Sequence, residues 1–246
     1  MDYFGINRNG FVSETFLFRL KKLVKDSLFP FFCVVCGAEG ELLCAVCYPK
    51  IDLSGVFACP RCGRENGSGF CCVKCKRINS LDRHIAITRF INKTPAQKLL
   101  HDFKYHFVEE AMNVFAALMI DFVDINSGCF LDIDVIIPVP LHRRRTAERG
   151  FNQSELIAQA LGERLNLPVI MALKRVRFTR PQVDLLAKER AKNVAGAFSL
   201  TQDITGKNVM LVDDVFTTGS TLLECAKVLK NGGAKVITAF TIARAL

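Results

Sequence analysis

No apolar run in this 246-residue chain reaches the ~18–20 residues that would cross a bilayer; charges or prolines interrupt the longest candidates, which excludes a membrane-spanning helix. No A-x-A-like site follows the Phe- and Leu-containing start, and Arg19, Lys21, Lys22 and Lys25 break any leader-like stretch, so retention in the cytoplasm is the expectation. The G-x-x-x-x-G-K-[ST] pattern is absent, which excludes a Walker-type phosphate loop. No histidine lies among the nine cysteines of residues 33–75, and no internal repeat marks the second half.

Half the residues are hydrophobic, including 20 phenylalanines, which is enough for a sizeable core. The formal net charge of +9 counts every cysteine as a neutral thiol. Eight thiolates on two Zn²⁺ would add −8 and +4, leaving about +5. Residues 143–192 hold twelve Lys/Arg against five Asp/Glu, an anion footprint that suits polyphosphate or a nucleic-acid backbone equally.

Ser13 to Phe29 repeats apolar residues at helical spacing and predicts an amphipathic helix within residues 1–32 that packs on the rest of the protein. Residues 33–80 have little apolar periodicity and cannot build a core alone. Beyond them, Ile85–Ile91 reads as a strand, and Pro95–Lys104 and Glu109–Phe122 as helices. Ile133–Pro138 is a strand, Gln153–Leu165 a helix, Pro168–Leu173 a short strand, Val209–Asp213 a strand, Ser220–Lys230 a helix and Lys235–Ile242 a strand. Strands alternating with helices of about 10–13 residues give an α/β domain over residues 81–246, with a mainly parallel sheet and helices on both faces.

Four C-x-x-C pairs, Cys33/Cys36, Cys44/Cys47, Cys59/Cys62 and Cys72/Cys75, group into two consecutive Cys₄ sites. Each pair places two thiolates on one side of a tetrahedron, and a following pair supplies the other two. Four thiolates leave no open coordination position, so the expectation is two structural zincs rather than a catalytic one. Cys71 adjoins Cys72 and competes with it as a ligand, although only Cys72 keeps the spacing. Cys129 and Cys225 lie far away and read as small core-filling residues.

Val209 to Thr221 joins an apolar strand to a helix through Asp213 and Asp214 and the run Thr217-Thr218-Gly219-Ser220-Thr221. Main-chain N–H groups at a helix N-terminus form a concave anion site, Gly219 admits close approach, and the four hydroxyls add donors. That description fits a monophosphate. Adjacent acids at the carboxyl end of a strand repel unless ribose hydroxyls or a divalent cation meet them. An exposed acidic turn would explain the acids but not the T-T-G-S-T run.

This segment resembles the ribose-phosphate signature of type I phosphoribosyltransferases. Pro138-Val-Pro-Leu-His142-Arg-Arg-Arg145 leading to Arg149-Gly-Phe-Asn-Gln153 resembles the ComF family, as do Arg180-Pro-Gln182, Arg190-Ala-Lys-Asn193 through Phe198, Phe103-Lys104-Tyr105 and the paired zinc knuckles. The resemblance implies a type I phosphoribosyltransferase fold behind a double zinc-ribbon module at 33–80. It implies that Asp213 and Asp214 hold the ribose 2- and 3-hydroxyls, and that Phe216 to Thr221 holds the 5-phosphate. Pro138, Val139, Arg145, Arg149, Gln153 and Lys104 would contact phosphoribosyl diphosphate. Arg180, Gln182, Arg190 and Asn193 would belong to a mobile loop that closes over it. Mg²⁺ would bridge diphosphate and ribose oxygens, and catalysis would fall to Asp213, Asp214 and Arg149. His142, a lone histidine beside three arginines, is not taken as the general base.

Two functions follow from the resemblance. One is transfer of phosphoribosyl from its diphosphate to a nitrogen acceptor. The other is a non-catalytic, single-stranded DNA-binding factor of natural transformation, with a DNA-uptake helicase as a further partner; some members are linked to gluconate utilisation. The intact acid pair and phosphate loop favour the first, since nonspecific DNA grip needs only Lys/Arg. Few aromatics interleave the basic stretch, essentially Phe151 and Phe178, which argues against an extensive base-stacking platform.

Overall fold

The computed structural model describes residues 31–77, 79–90, 94–105, 108–179 and 187–245. The helix expected within residues 1–32 and the loop residues Arg180 and Gln182 lie outside them. The chain divides into two compact units, Met1–Pro49 and Lys50–Leu246, so the division falls between the two cysteine clusters. In the first unit the chain turns tightly about Cys33, whose N–H donates to Ala38 O (2.8 Å) and whose carbonyl accepts from Gly37 N (2.8 Å). Phe31, Leu42 and Leu43 are buried, as are Cys33 and Cys47.

In the second unit the elements run β1 (Val56–Phe57), α1 (Val73–Lys76), β2 (Arg83–Arg89), α2 (Pro95–Tyr105), α3 (Val108–Ile125), β3 (Val135–Pro138), α4 (Arg143–Arg149) and α5 (Gln153–Leu165). β4 (Leu173–Arg175), α6 (Ala187–Val194), β5 (Phe198–Leu200), β6 (Asn208–Phe216), α7 (Ser220–Asn231) and β7 (Val236–Arg244) follow. The main sheet has the order β1-β2-β7-β6-β3, antiparallel only at β1.

β6 and β7 occupy the centre because their apolar residues run without alternation, the pattern of strands covered on both faces. Val135, Ile137, Val209, Leu211, Ile237 and Ala239 share one face and pack with Leu222, Cys225, Ala226 and Leu229 of α7. The opposite residues, Ile136, Met210 and Phe240, are equally buried, and Phe122 of α3 lies 6.2 Å from the Phe240 ring. Helices therefore cover both faces.

Pro168–Leu173 does not form the strand expected of it. Only a bridge joins Val169 to Ile136; the pairing comes later, where β4 runs antiparallel to β5 in a separate two-stranded sheet. Three-residue strands carry too little periodicity to be read in advance. α5 has the expected bounds, starting where the Asn152 side chain accepts from Ser154 N (3.2 Å) and ending at Asn166 in the left-handed region (φ 54°).

A buried polar chain ties β7 to β2. Arg244 Nη1 donates to His84 Nδ1 (2.7 Å), so His84 Nε2 carries the hydrogen and donates to Thr241 Oγ1 (3.0 Å), which donates to Ala243 O (3.1 Å). Burial first, and then the Arg244 charge, hold His84 well below the usual imidazole pKa. The unfolded chain takes up a proton near pH ~6.5 that the folded chain refuses, so stability is full above that pH and falls as pH drops, by about 1.4 kcal/mol per unit. Urea unfolding of the zinc-loaded protein at pH 7 and at about one unit below pH 6.5 should show this loss, and a His84→Asn variant should show a flatter profile. Equal slopes in the two proteins would remove His84 as the cause.

Candidate functional site

β6 carries Asp213 and Asp214 to its carboxyl end, where the chain turns into α7. Asp213 Oδ1 accepts from Ser154 Oγ of α5 and from Asp214 N, both at 2.9 Å, while Asp214 Oδ1 accepts from Val215 N (2.7 Å). The acids are thus oriented by backbone and by a hydroxyl from a neighbouring helix. Gly219 is the N-cap of α7, with φ 72° and no side chain of its own to cap, and Thr218 Oγ1 accepts from Ser220 N (3.4 Å) at the first turn. Thr218 Oγ1 and Ser220 Oγ lie 2.8 Å apart across the bend, and Arg190 Nη1 of α6 donates to Thr217 Oγ1 (3.2 Å).

This bend opens on a cleft of about 690 Å³. Asp213, Asp214, Thr217, Gly219, Ser220 and Thr221 line it together with Val139, Arg145, Arg149, Gln153 and Arg190. The strand end at β3 and the loop after β6 therefore converge, as parallel pairing of β3 with β6 requires: Val139 N donates to Val212 O (2.9 Å). α4 forms because His142 Nδ1 accepts from Arg144 N (3.3 Å) and Gly150 closes the helix at φ 81°. It aims Arg145 and Arg149 at the same space.

Some residues sit elsewhere. Pro138 is buried in β3. Phe216 is buried beneath the loop, 4.3 Å from the His84 ring and 4.5 Å from the Arg244 guanidinium carbon, so it supports the bend rather than lining the cleft. The carbonyl of Asn193 accepts from Arg177 Nη2 (3.0 Å). Lys104 falls on α2, and its side chain is outside the described residues. Sequence reasoning missed Ser154 and Arg175, which both line the cleft. Ser154 was within reach, being a hydroxyl in the first turn of an inward-facing helix. Arg175 was hidden in the basic stretch.

The cysteines converge into the two expected groups, Cys33/Cys36/Cys44/Cys47 in the first unit and Cys59/Cys62/Cys72/Cys75 in the second, with the sulfurs of each group within 4.8 Å of one another. Tetrahedral zinc with Zn–S near 2.3 Å needs S···S of about 3.8 Å. Cys36–Cys44 at 3.7 Å and Cys62–Cys72 at 3.8 Å meet that requirement. Both clusters can hold zinc. Cys71 lies 3.9 Å from Cys59 and accepts from the Asn79 side-chain amide at 3.4 Å, outside the four-sulfur group.

Crowding four thiols spreads their acidities. Burial pushes Cys33 and Cys59 up, but backbone N–H donors outweigh it and bring each down to about 6. Cys47 is raised to about 12 by burial and then by neighbouring sulfurs, and Cys75 to about 12 by Cys72 and then by burial. The remaining thiols differ: Cys225 is fully buried, with its pKa pushed well up by burial and then by the Asp213 charge, and Cys129 is half-buried.

Among the described residues no helix is long and apolar enough to cross a membrane. The family model for the phosphoribosyl transferase domain matches residues 150–245. Competence protein F of Haemophilus influenzae is 34% identical over 231 residues, 89% of this chain and 99% of that protein. DNA utilization protein YhgH of Salmonella typhi is 32% identical over 83% of this chain and 91% of its own length. Competence protein ComFC of Bacillus subtilis is 28% identical over 83% and 85%. With the acid pair, the phosphate-type bend and two Cys₄ clusters on one chain, and a relative matched along almost its whole length, this protein belongs to the ComF family and carries a type I phosphoribosyltransferase fold.

Proposed function

We propose that the cleft binds phosphoribosyl diphosphate with Mg²⁺ and that the chain transfers the phosphoribosyl group to a nitrogen acceptor. The observation that carries this is the bend at Gly219. Thr217, Gly219, Ser220 and Thr221 of this bend line one cleft together with the Asp213 and Asp214 carboxylates and with Arg145, Arg149, Arg175 and Arg190. Asp213 and Asp214 suit the ribose 2- and 3-hydroxyls, the 217–221 bend the 5-phosphate, and Arg145, Arg149 and Gln153 the diphosphate. Mg²⁺ would add charge neutralisation at the diphosphate, and Asp213 and Asp214 are the carboxylates that line the cleft for it. As the C1–oxygen bond breaks, negative charge grows on the departing diphosphate, and fixed guanidinium groups stabilise it without reorganising.

Within this reading the zinc-ribbon module spans residues 33–80, each cluster holds one structural zinc, and the transferase-like domain works in the cytoplasm. A second reading is favoured by the names of the relatives, which speak of competence and DNA utilization. In it the basic 143–192 stretch grips single-stranded DNA without turnover, and a DNA-uptake helicase is the protein partner.

Calorimetry separates the two. Asp213→Asn/Asp214→Asn should weaken phosphoribosyl diphosphate by about 30-fold, equivalent to about 2 kcal/mol of lost ribose hydrogen bonding. Single-stranded DNA titrated at two salt concentrations provides the other arm. DNA binding that ignores the double substitution and falls steeply with salt, beside absent phosphoribosyl diphosphate binding, would support the backbone-grip reading.

A further inference from the structure

One arginine of the cleft is buried where arginine is seldom left without an anion. Arg175 closes β4, whose Leu-Lys-Arg pattern turns Leu173 and Arg175 inward and Lys174 outward. Its side chain lies over the Phe198 ring, with the guanidinium carbon 5.3 Å from the centroid, and the residue is 9% exposed while lining the same cleft as Asp213 and Ser220. Arg175 Nη2 donates to Thr179 Oγ1, but its Nε is buried with no hydrogen-bond partner among the described residues. Gln153 Nε2, at the same cleft, is likewise buried and unmatched.

Thr179 holds a second guanidinium as well. Its carbonyl accepts from Arg145 Nη2 at 3.2 Å, so one buried threonine sets two arginines beside each other. Burial first, and then the neighbouring Arg145 charge, push the Arg175 pKa down, while the Asp213 carboxylate acts in the opposite sense. Two neighbouring cations, one of them desolvated with an unmatched N–H, are unfavourable until an anion bridges them. A single carboxylate is a small counterweight; a group with several negative oxygens can meet both forks.

We propose that Arg175, paired with Arg145 through Thr179, forms the fixed cationic subsite for the diphosphate of the sugar ligand, in the same cleft as the bend that takes the 5-phosphate. The inference rests on the reading of the cleft as a phosphoribosyl diphosphate site and assigns Arg175 a contact with the leaving group. When the C1–oxygen bond breaks, the diphosphate departs with the bonding pair, and Arg175 faces the oxygen that gains the charge. The bend, built from neutral amides, suits the singly linked phosphate; the paired guanidiniums suit the more highly charged end.

The test is titration of the zinc-replete full chain, with Mg²⁺, against phosphoribosyl diphosphate, ribose 5-phosphate and inorganic diphosphate. Arg175→Gln should weaken phosphoribosyl diphosphate and inorganic diphosphate by about 20-fold, the scale of a lost charged hydrogen-bonding pair, and leave ribose 5-phosphate within about twofold. Arg175→Lys should recover part of the loss, because it keeps the charge but not the fork. Retained ribose 5-phosphate binding shows that the cleft is intact. If Arg175→Gln does not fold, Arg175→Lys and Arg145→Gln carry the same comparison. Equal weakening of all three ligands, or of none, overturns the proposal and leaves the function reading standing. A wild-type chain that binds ribose 5-phosphate and phosphoribosyl diphosphate equally also overturns it, and one that binds neither overturns the function reading as well.

Discussion

Cys59→Ser/Cys62→Ser should lower the thermal midpoint of the larger unit by at least about 10 °C, and a strong chelator should do the same to the unaltered chain. The second cluster is wired into the sheet. Arg244 at the end of β7 donates from Nη1 to Ala58 O (3.2 Å) and from Nη2 to Cys59 O (2.9 Å) while its other contacts are His84 and the Phe216 face. Burial lowers the Arg244 pKa, and the cluster's own Cys59 and Cys62 are the first charges that favour its cationic form. A Cys₄ zinc site carries a net charge of about −2, so losing it both frees the knuckle and strands a buried guanidinium. A free energy of about 5 kcal/mol, well below the total binding energy of a structural zinc, suffices for the shift named, at roughly 2–4 °C per kcal/mol in a unit of this size. Calorimetric scans with and without chelator check it. A midpoint within about 2 °C of the unaltered chain would show the cluster to be decorative.

Gly219→Ala should weaken ribose 5-phosphate by about 100-fold. The residue sits at φ 72°, and an added Cβ would fall 2.4 Å from Phe216 Cζ. Phe216 cannot retreat cheaply, since it is buried against His84 and Arg244. The left-handed conformation costs about 1–2 kcal/mol for a non-glycine residue, and relieving the clash moves the amides of the bend away from the phosphate. The strain lowers stability, whereas displacing the amides costs the bound phosphate about two charge-assisted hydrogen bonds, about 3 kcal/mol or roughly 100-fold in affinity. Gly206→Ala is the matched control: φ is 74°, but nothing lies within 4 Å of its Cβ. It should lower stability by a similar strain cost and leave ligand affinity alone. Titration of both variants separates strain from site geometry, and equal affinity in the two would show that the bend does not carry the phosphate.

How much of this was legible depended on whether the signal was local. The Asp213–Thr221 bend could be read because strand, acids, small hydroxyl residues and helix follow one another without a break. α5 could be read because its caps and its inward stripe are both in sequence. The cysteine groups were legible from spacing alone, and the structure adds that Cys72, not Cys71, stands within the four-sulfur distance.

Three features were not legible, each because its cause is distant. β4 and β5 are three-residue strands that exist only through each other. α4 carries three arginines in its first turn, an arrangement without an apolar stripe, and forms between the His142 cap and Gly150. Arg175 looked like one more solvated cation of the basic stretch; its burial follows from β4 turning alternate residues inward, which the sequence around it does not announce.

The most direct measurement is a crystal structure of the zinc-loaded chain with ribose 5-phosphate. The account predicts a phosphate against the main-chain N–H groups of residues 217–221, with the sugar hydroxyls on Asp213 and Asp214. A phosphate bound instead on the exposed basic face, with the bend left empty at saturating ligand, would contradict it.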